Sequence, residues 1–197
     1  TEVLSGGLGN DLLFASGDLG DTLIGGAGDD LLVLDGHGVV VQFEAAASNG
    51  LDTVVGFDAT QHIRLNAIDT NQQVEGAFTF AAGSWSENTF DLTPASVVAI
   101  STLNGGDELN VRLQDPGAEM LNVFALGQDN KGASLFFLVE SSVGDDDANT
   151  LLYQAFDADG DGFLKGSEFT HMATFDHAGI AEFSAANVSY MNPSFIA

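Results

Sequence analysis

The stretch Gly6 to Val33, GGLGNDLLFASGDLGDTLIGGAGDDLLV, repeats itself at about nine residues, and that period limits what this chain can fold into. In register the copies are GGLGNDLLF (Gly6 to Phe14), SGDLGDTLI (Ser16 to Ile24, after an inserted Ala15) and GGAGDDLLV (Gly25 to Val33). The first and third fit GGxGxDxUx, with U a large apolar residue, at every fixed place. Asp11, Asp21 and Asp30 hold the acidic position, and Leu13, Leu23 and Leu32 the apolar one. Glu2 and Leu4 fall one period earlier, so the chain is expected to begin inside a repeat.

This pattern predicts a parallel β-roll. Glycines let six residues turn tightly, because Gly adopts positive φ without steric cost, and the next three form a short strand with one side chain inward. Two copies make a full turn, so loops two copies apart stack at roughly 4.8 Å, the ordinary strand spacing. Asp11 then lies over Asp30 on one edge, with Asp21 between turns on the other. Carboxylates held so close repel, while the loop carbonyls point the same way, which suits a hard cation with oxygen ligands. Gly, Asp and Asn also make flexible linkers, but the fixed register of Asp and Leu and the leucine content argue against one. One Leu per strand is too little core to stabilise the roll unaided.

GGxGxDxUx at this spacing resembles the RTX calcium-binding repeats of bacterial proteins exported by type I secretion. The resemblance implies one calcium between the carbonyls of Gly7 and Gly9 with Asp11, and those of Gly25 and Ala27 with Asp30. A second would use Gly17, Leu19 and Asp21, facing a loop around Asp35 and His37 that lacks the motif. A third would use Gly26, Gly28 and Asp30, its opposing partner not identified by the motif.

The chain has 29 Asp plus Glu against 4 Lys plus Arg, a formal net charge of -25. Nucleic acid and membrane insertion are thereby excluded as expectations: phosphate binding needs the opposite sign, and no apolar run approaches 18 residues. Yet 45% of residues are hydrophobic and 15 are Phe, too many for an acidic disordered tail. Cations are needed for such a chain to become compact. Without cysteine there are no disulfides or thiolate metal sites.

Three segments follow from the patterning: the roll over 1–50, a β-rich cap over 51–143 and a helical unit over 144–197. VVVQF (Val39 to Phe43) closes the roll. From Leu51 to Asp69, Val54, Phe57, Ile63 and Leu65 alternate like half-buried strands. This stretch resembles the segment after RTX rolls in serralysin-type proteases, with Asp52 and Phe57 matching and His62 and Arg64 standing where acids are usual. AFTFAA, SVVAIST, ELNVRLQ, MLNVFAL and ASLFFLVES predict further strands, split by turn signals at Asn104-Gly105-Gly106 and Asp115-Pro116-Gly117. They suggest a sandwich or an extension of the roll, with Trp85 and the Phe residues in its core.

NTLLYQAFDADGDGFLKGSEFTHMATF (Asn149 to Phe175) carries helical spacing around a loop from Asp157 to Glu168. Asp157, Asp159 and Asp161 occupy places 1, 3 and 5, Gly162 turns at 6, Phe163 offers its carbonyl at 7, Leu164 packs inward at 8, and Glu168 closes at 12. This resembles an EF-hand, with Lys165 at place 9 as the departure. A degenerate partner, also ending in a helix, is expected over Phe175 to Val188.

Nothing catalytic is expected. The histidines His37, His62, His171 and His177 form no HExxH, and there is no GxSxG. The sequence thus points to a mainly β, calcium-binding folding and export module, holding roughly 2–4 ions, at the C-terminus of a secreted bacterial protein. Its partners would be calcium and the type I secretion machinery, with the export signal in the C-terminal region ending NPSFIA. The rival expectation is an extracellular adhesion or surface-assembly module, ordered by calcium and pairing with a glycan or another copy of itself.

Overall fold

The computed structural model describes residues 1–17, 20–66, 79–82, 90–92, 96–100, 124–126, 134–141 and 148–191. Glycine loops and short apolar runs alternate at its start, so the chain winds back and forth between two parallel sheets. Strands β1 (Val3–Leu8), β3 (Thr22–Ala27), β5 (Val40–Phe43) and β7 (His62–Asn66) lie side by side in one; β2 (Leu12–Gly17), β4 (Leu31–Gly36) and β6 (Asp52–Val55) in the other. In the first sheet Leu4 is registered on Leu23, Leu23 on Val41 and Val41 on Ile63; in the second, Leu13 on Leu32 and Leu32 on Val54. Leu13, Leu23, Leu32, Val41, Val54 and Ile63 are all buried in one core.

That core is thin at β1 and β2 and widens where aromatic residues enter. Phe175 meets Phe43 edge-on with ring centroids 5.9 Å apart and Phe57 at 5.0 Å, while Phe57 stacks on Phe183 at 4.7 Å. Edge-to-face and offset arrangements of this kind are favoured by the ring quadrupoles.

The sheets continue beyond the winding. β7 is flanked by β16 (Val188–Met191), parallel to it. β6 pairs in parallel with β15 (Phe169–Asp176), followed by antiparallel β13 (Asn149–Phe156) and β12 (Ser134–Ser141), then parallel β10 (Ser96–Ile100) and β8 (Thr79–Ala82). A small third sheet holds β9 (Phe90–Leu92), β11 (Phe124–Leu126) and β14 (Phe163–Leu164). The chain is therefore mainly β.

The expected helices around Asp157 to Glu168 are corrected: both flanks are strands, and the loop joins β13 to its antiparallel neighbour β15. β13 lies inside an eight-stranded sheet and is buried on both faces from Thr150 to Ala155. A strand covered on both faces reads as a continuous apolar run, which spacing cannot tell from a buried helix. The helix expected before Val188 is likewise only a 3-10 turn, Ile180–Glu182. Among the described residues there is no α-helix, hence none long and apolar enough to cross a membrane. ELNVRLQ, Trp85, the turns at 104–106 and 115–117, and NPSFIA lie outside the described residues.

Candidate metal-binding sites

Successive turns of the winding stack their loops, and on one edge this builds a ladder of three carboxylates. The Asp11 N–H donates to Asp30 Oδ1 at 2.7 Å, and the Asp30 N–H donates to Asp52 Oδ1 at 3.1 Å. Gly9 N–H donates to the Ala27 carbonyl at 2.7 Å. Thus Gly7, Gly9, Asp11, Gly25, Ala27 and Asp30 come together at one place.

Stacking this close leaves no room for side chains. Gly26 and Gly28 have φ of 102° and 131°, and a Cβ on either would run into the carbonyl of Gly7 or Gly9. Asp11 and Asp30 fold back onto Gly6 and Gly25, where a Cβ would strike their Oδ2 atoms. Those two Oδ2 atoms are buried and accept no hydrogen bond. Asp30 itself is 2% exposed. An ionised carboxylate desolvated in this way, one lone-pair set unmatched, costs several kcal/mol unless a cation or a proton compensates it.

The third rung is closed differently. The loop opposing Gly26, Gly28 and Asp30 is Asn49 to Asp52: Gly28 N–H donates to the Asn49 carbonyl at 3.3 Å, and a Cβ on Gly50 would meet the Gly28 carbonyl. Asn49 Nδ2 donates to Asp52 Oδ2 at 3.0 Å and to the Met172 carbonyl at 3.3 Å. Burial, reinforced by the nearby Asp30 charge, still pushes the Asp52 carboxyl up to about 7, against the hydrogen bonds from Asp30 and Asn49. The sequence matches Asp52 to a post-roll pattern but does not reveal it as a rung, because the turn from Asp30 to Asp52 takes 22 residues and that from Asp11 to Asp30 takes 19.

On the opposite edge Asp21 Oδ1 accepts the Glu2 N–H at 2.8 Å. Gly17 ends β2, registered on Gly36, and Leu19 lies outside the described residues. Two turns on, the acidic place is taken by Gln61. Its Oε1 accepts the Val39 N–H at 2.8 Å, as an Asp rung does, and its Nε2 donates to the Gly36 carbonyl. A neutral amide thus gives the carbonyl a positive partner, and sequence spacing has no signal for it.

The loop between β13 and β15 is a separate acidic cluster. Asp157, 1% exposed, accepts Gly160 N–H at 2.8 Å and Gly162 N–H at 3.1 Å. Asp159 accepts Asp161 N–H at 3.1 Å, and Glu168 accepts from Ala158 and Lys165, each at 2.8 Å. Phe163 and buried Leu164 form β14. Ligand oxygens of Asp157, Asp159 and Asp161 lie within 4.8 Å of one another, so the cluster can hold a metal ion. The Lys165 ammonium bridges Asp159 and Asp161, at 2.8 Å from the latter. Its hydrogen bond holds Asp159 below the usual carboxylate range, and the two carboxylates raise the ammonium above its own. Lys165 is therefore an internal cation that a metal must displace.

No protein-family model, curated protein or solved structure matches the chain.

Proposed function

We propose that this chain is a calcium-dependent folding module of the RTX β-roll type, belonging to a bacterial protein exported by type I secretion and working outside the cell. The observation that carries the reading is the pair of buried, unmatched Oδ2 atoms on Asp11 and Asp30, stacked between glycine loops. Calcium is the cation that suits carboxylate and carbonyl oxygens in flexible geometry. Calcium would satisfy Asp11 with Asp30, then Asp30 with the Asn49 to Asp52 loop; the Asp157 loop would add one ion. Asn49 and Gln61 lower the metal demand at the far turns.

The mechanism is linkage. Calcium binding to the folded state alone adds RT ln(1 + [L]/Kd) per site, about 2.7 kcal/mol at a hundredfold excess over Kd. Extracellular modules have Kd of about 10⁻⁴ to 10⁻³ M. Such sites are empty at cytosolic calcium and filled outside, which keeps the chain threadable before export and folded after it.

Calcium titration followed by far-UV circular dichroism and sedimentation tests this, with Asp30→Ala and Glu168→Ala alongside. The expected result is a cooperative gain of β structure and compaction, weakened by Asp30→Ala, with Glu168→Ala removing one separate ion. A fold complete in chelator and unchanged by calcium overturns it. In that case the surface-adhesion reading gains, since Leu12, Phe14, Leu31 and Leu51 leave an exposed apolar edge for a partner.

A further inference from the structure

Leu13, Leu32 and Val54 point into the core, so the residues that alternate with them along β2, β4 and β6 lie on the opposite face of that sheet. Register aligns these outward residues in two rows, Leu12 on Leu31 on Thr53 and Phe14 on Val33 on Val55. The face is apolar, and it is bare. Leu12 is 70% exposed and Phe14 50%. Leu31 belongs to a strand paired on both sides and is still 40% exposed, and Leu51, just before β6, is 42% exposed. The exposure is therefore a property of the face and not of a sheet edge. Single exposed leucines are ordinary, but a contiguous apolar patch on a chain this charged marks a contact surface.

An acid stands at each end of the patch. The outward residues of β4 run Leu31, Val33, Asp35, and Asp29 lies two residues before them. Asp29 lines one groove with Leu12, Leu31, Leu51 and Thr53. It is held there: its Oδ1 accepts the Leu51 N–H at 3.0 Å, and its own N–H donates to Asn10 Oδ1 at 3.1 Å. Asp35, registered on Ser16, is exposed at the other end. Among the described residues the Lys and Arg side chains are Arg64, in β7 of the other sheet, and Lys165, bridging Asp159 and Asp161. Neither belongs to this face.

That pattern of charge selects the occupant. A second copy of the chain brings another -25, and anionic lipid carries the same sign. A lysine or arginine side chain fits both halves of the site, its aliphatic stem lying along leucine while its cationic head meets a carboxylate. We propose that the outer face of β2, β4 and β6 is a docking surface for an extended segment of a basic partner polypeptide, with apolar side chains on Leu31 and Val33 and a lysine or arginine on each of Asp29 and Asp35. Side chains alternate along an extended segment, so these four places answer to residues i, i+2, i+4 and i+6 of the partner. The chain's negative charge draws a basic partner in, and the apolar band sets its register. Asp29 and Asp35 stand outside the ladder of Asp11, Asp30 and Asp52, so the surface does not rest on the calcium reading.

The test is titration of the whole chain, in calcium buffer, with a labelled synthetic peptide KTLTLTK read by fluorescence anisotropy. KTTTTTK keeps the charge without the apolar residues, and ETLTLTE reverses the charge. Saturable one-to-one binding of KTLTLTK, clearly tighter than that of either control, is expected. Leu31→Ser should weaken it about tenfold, the effect of losing one leucine contact. Asp35→Lys should also weaken it while circular dichroism keeps the fold, and because Asp35 is exposed this variant decides the matter if Leu31→Ser does not fold. Equal binding of KTTTTTK, which reduces the attraction to net charge, overturns the proposal. So does binding that neither variant weakens, tighter capture of the chain by phosphatidylglycerol vesicles that Leu31→Ser abolishes, or self-association in sedimentation that Leu31→Ser abolishes and KTLTLTK leaves intact.

Discussion

At the scale of the residue, an amide and a carboxylate occupy equivalent places and settle the same electrostatic problem in different ways. Gln61 meets Val39 and Gly36 with one acceptor and one donor. Gln61→Glu keeps the shape and deletes the donor, so in chelator urea melts should lose about 1–3 kcal/mol, the cost of a buried group left unsatisfied. Calcium should recover that loss, with one more ion bound per chain by equilibrium dialysis. Unchanged stability in chelator would sink this account of the amide. Asp52 supplies a pH test. Its folded pKa, about 7, lies above the ordinary carboxylate value of 3.8, so the folded state holds the proton more tightly. The metal-free chain should therefore lose stability as pH rises from about 4 to 7, by up to about 1.4 kcal/mol per pH unit, and Asp52→Asn should flatten that slope. Denaturant melts across this range in chelator check it.

Elements show the same economy of space. Gly7 and Gly26 share a positive φ near 100°, but only Gly26 is covered by a carbonyl. Gly7→Ala should cost about 1–3 kcal/mol, the penalty of a side chain in that backbone region. Gly26→Ala must also push two loops apart, and should cost more than Gly7→Ala in the same calcium buffer; equal costs would mean the stack yields freely. This level was the most legible from sequence, because glycine spacing, Asp11 over Asp30 and Leu13 over Leu32 all follow from one period. The lengthened turn to Asp52 broke that period, so neither Asn49 nor Gln61 could be placed opposite its partner. β13 escaped for another reason: sheet cover on both faces removes the alternation that marks a strand. Around the Asp157 loop the ligand-type residues were legible and the flanking elements were not, since the loop's spacing is local while the strands beside it are fixed by distant neighbours.

Across the whole molecule, charge repulsion adds to the entropy cost of folding: -25 on 197 residues opposes any compact state. Monovalent salt screens this without entering carboxylate pairs, so sodium chloride in chelator should raise the melting temperature gradually, whereas under the proposed function calcium should act at sub-millimolar to millimolar levels. Equal potency of the two at equal ionic strength would reduce calcium to a screening ion. The winding is also unequal along its length. Its inner turns rest on four phenylalanines, on Asn49 and on Gln61; its outer turn rests on Leu4, Leu13 and the Asp11–Asp30 pair, whose Oδ2 atoms accept no hydrogen bond. Under the proposed function, assembly would have a direction: the coil would be seeded at the aromatic end and lengthen toward Thr1 as ions bind, so scarce calcium would yield a partly wound coil, frayed at one end only.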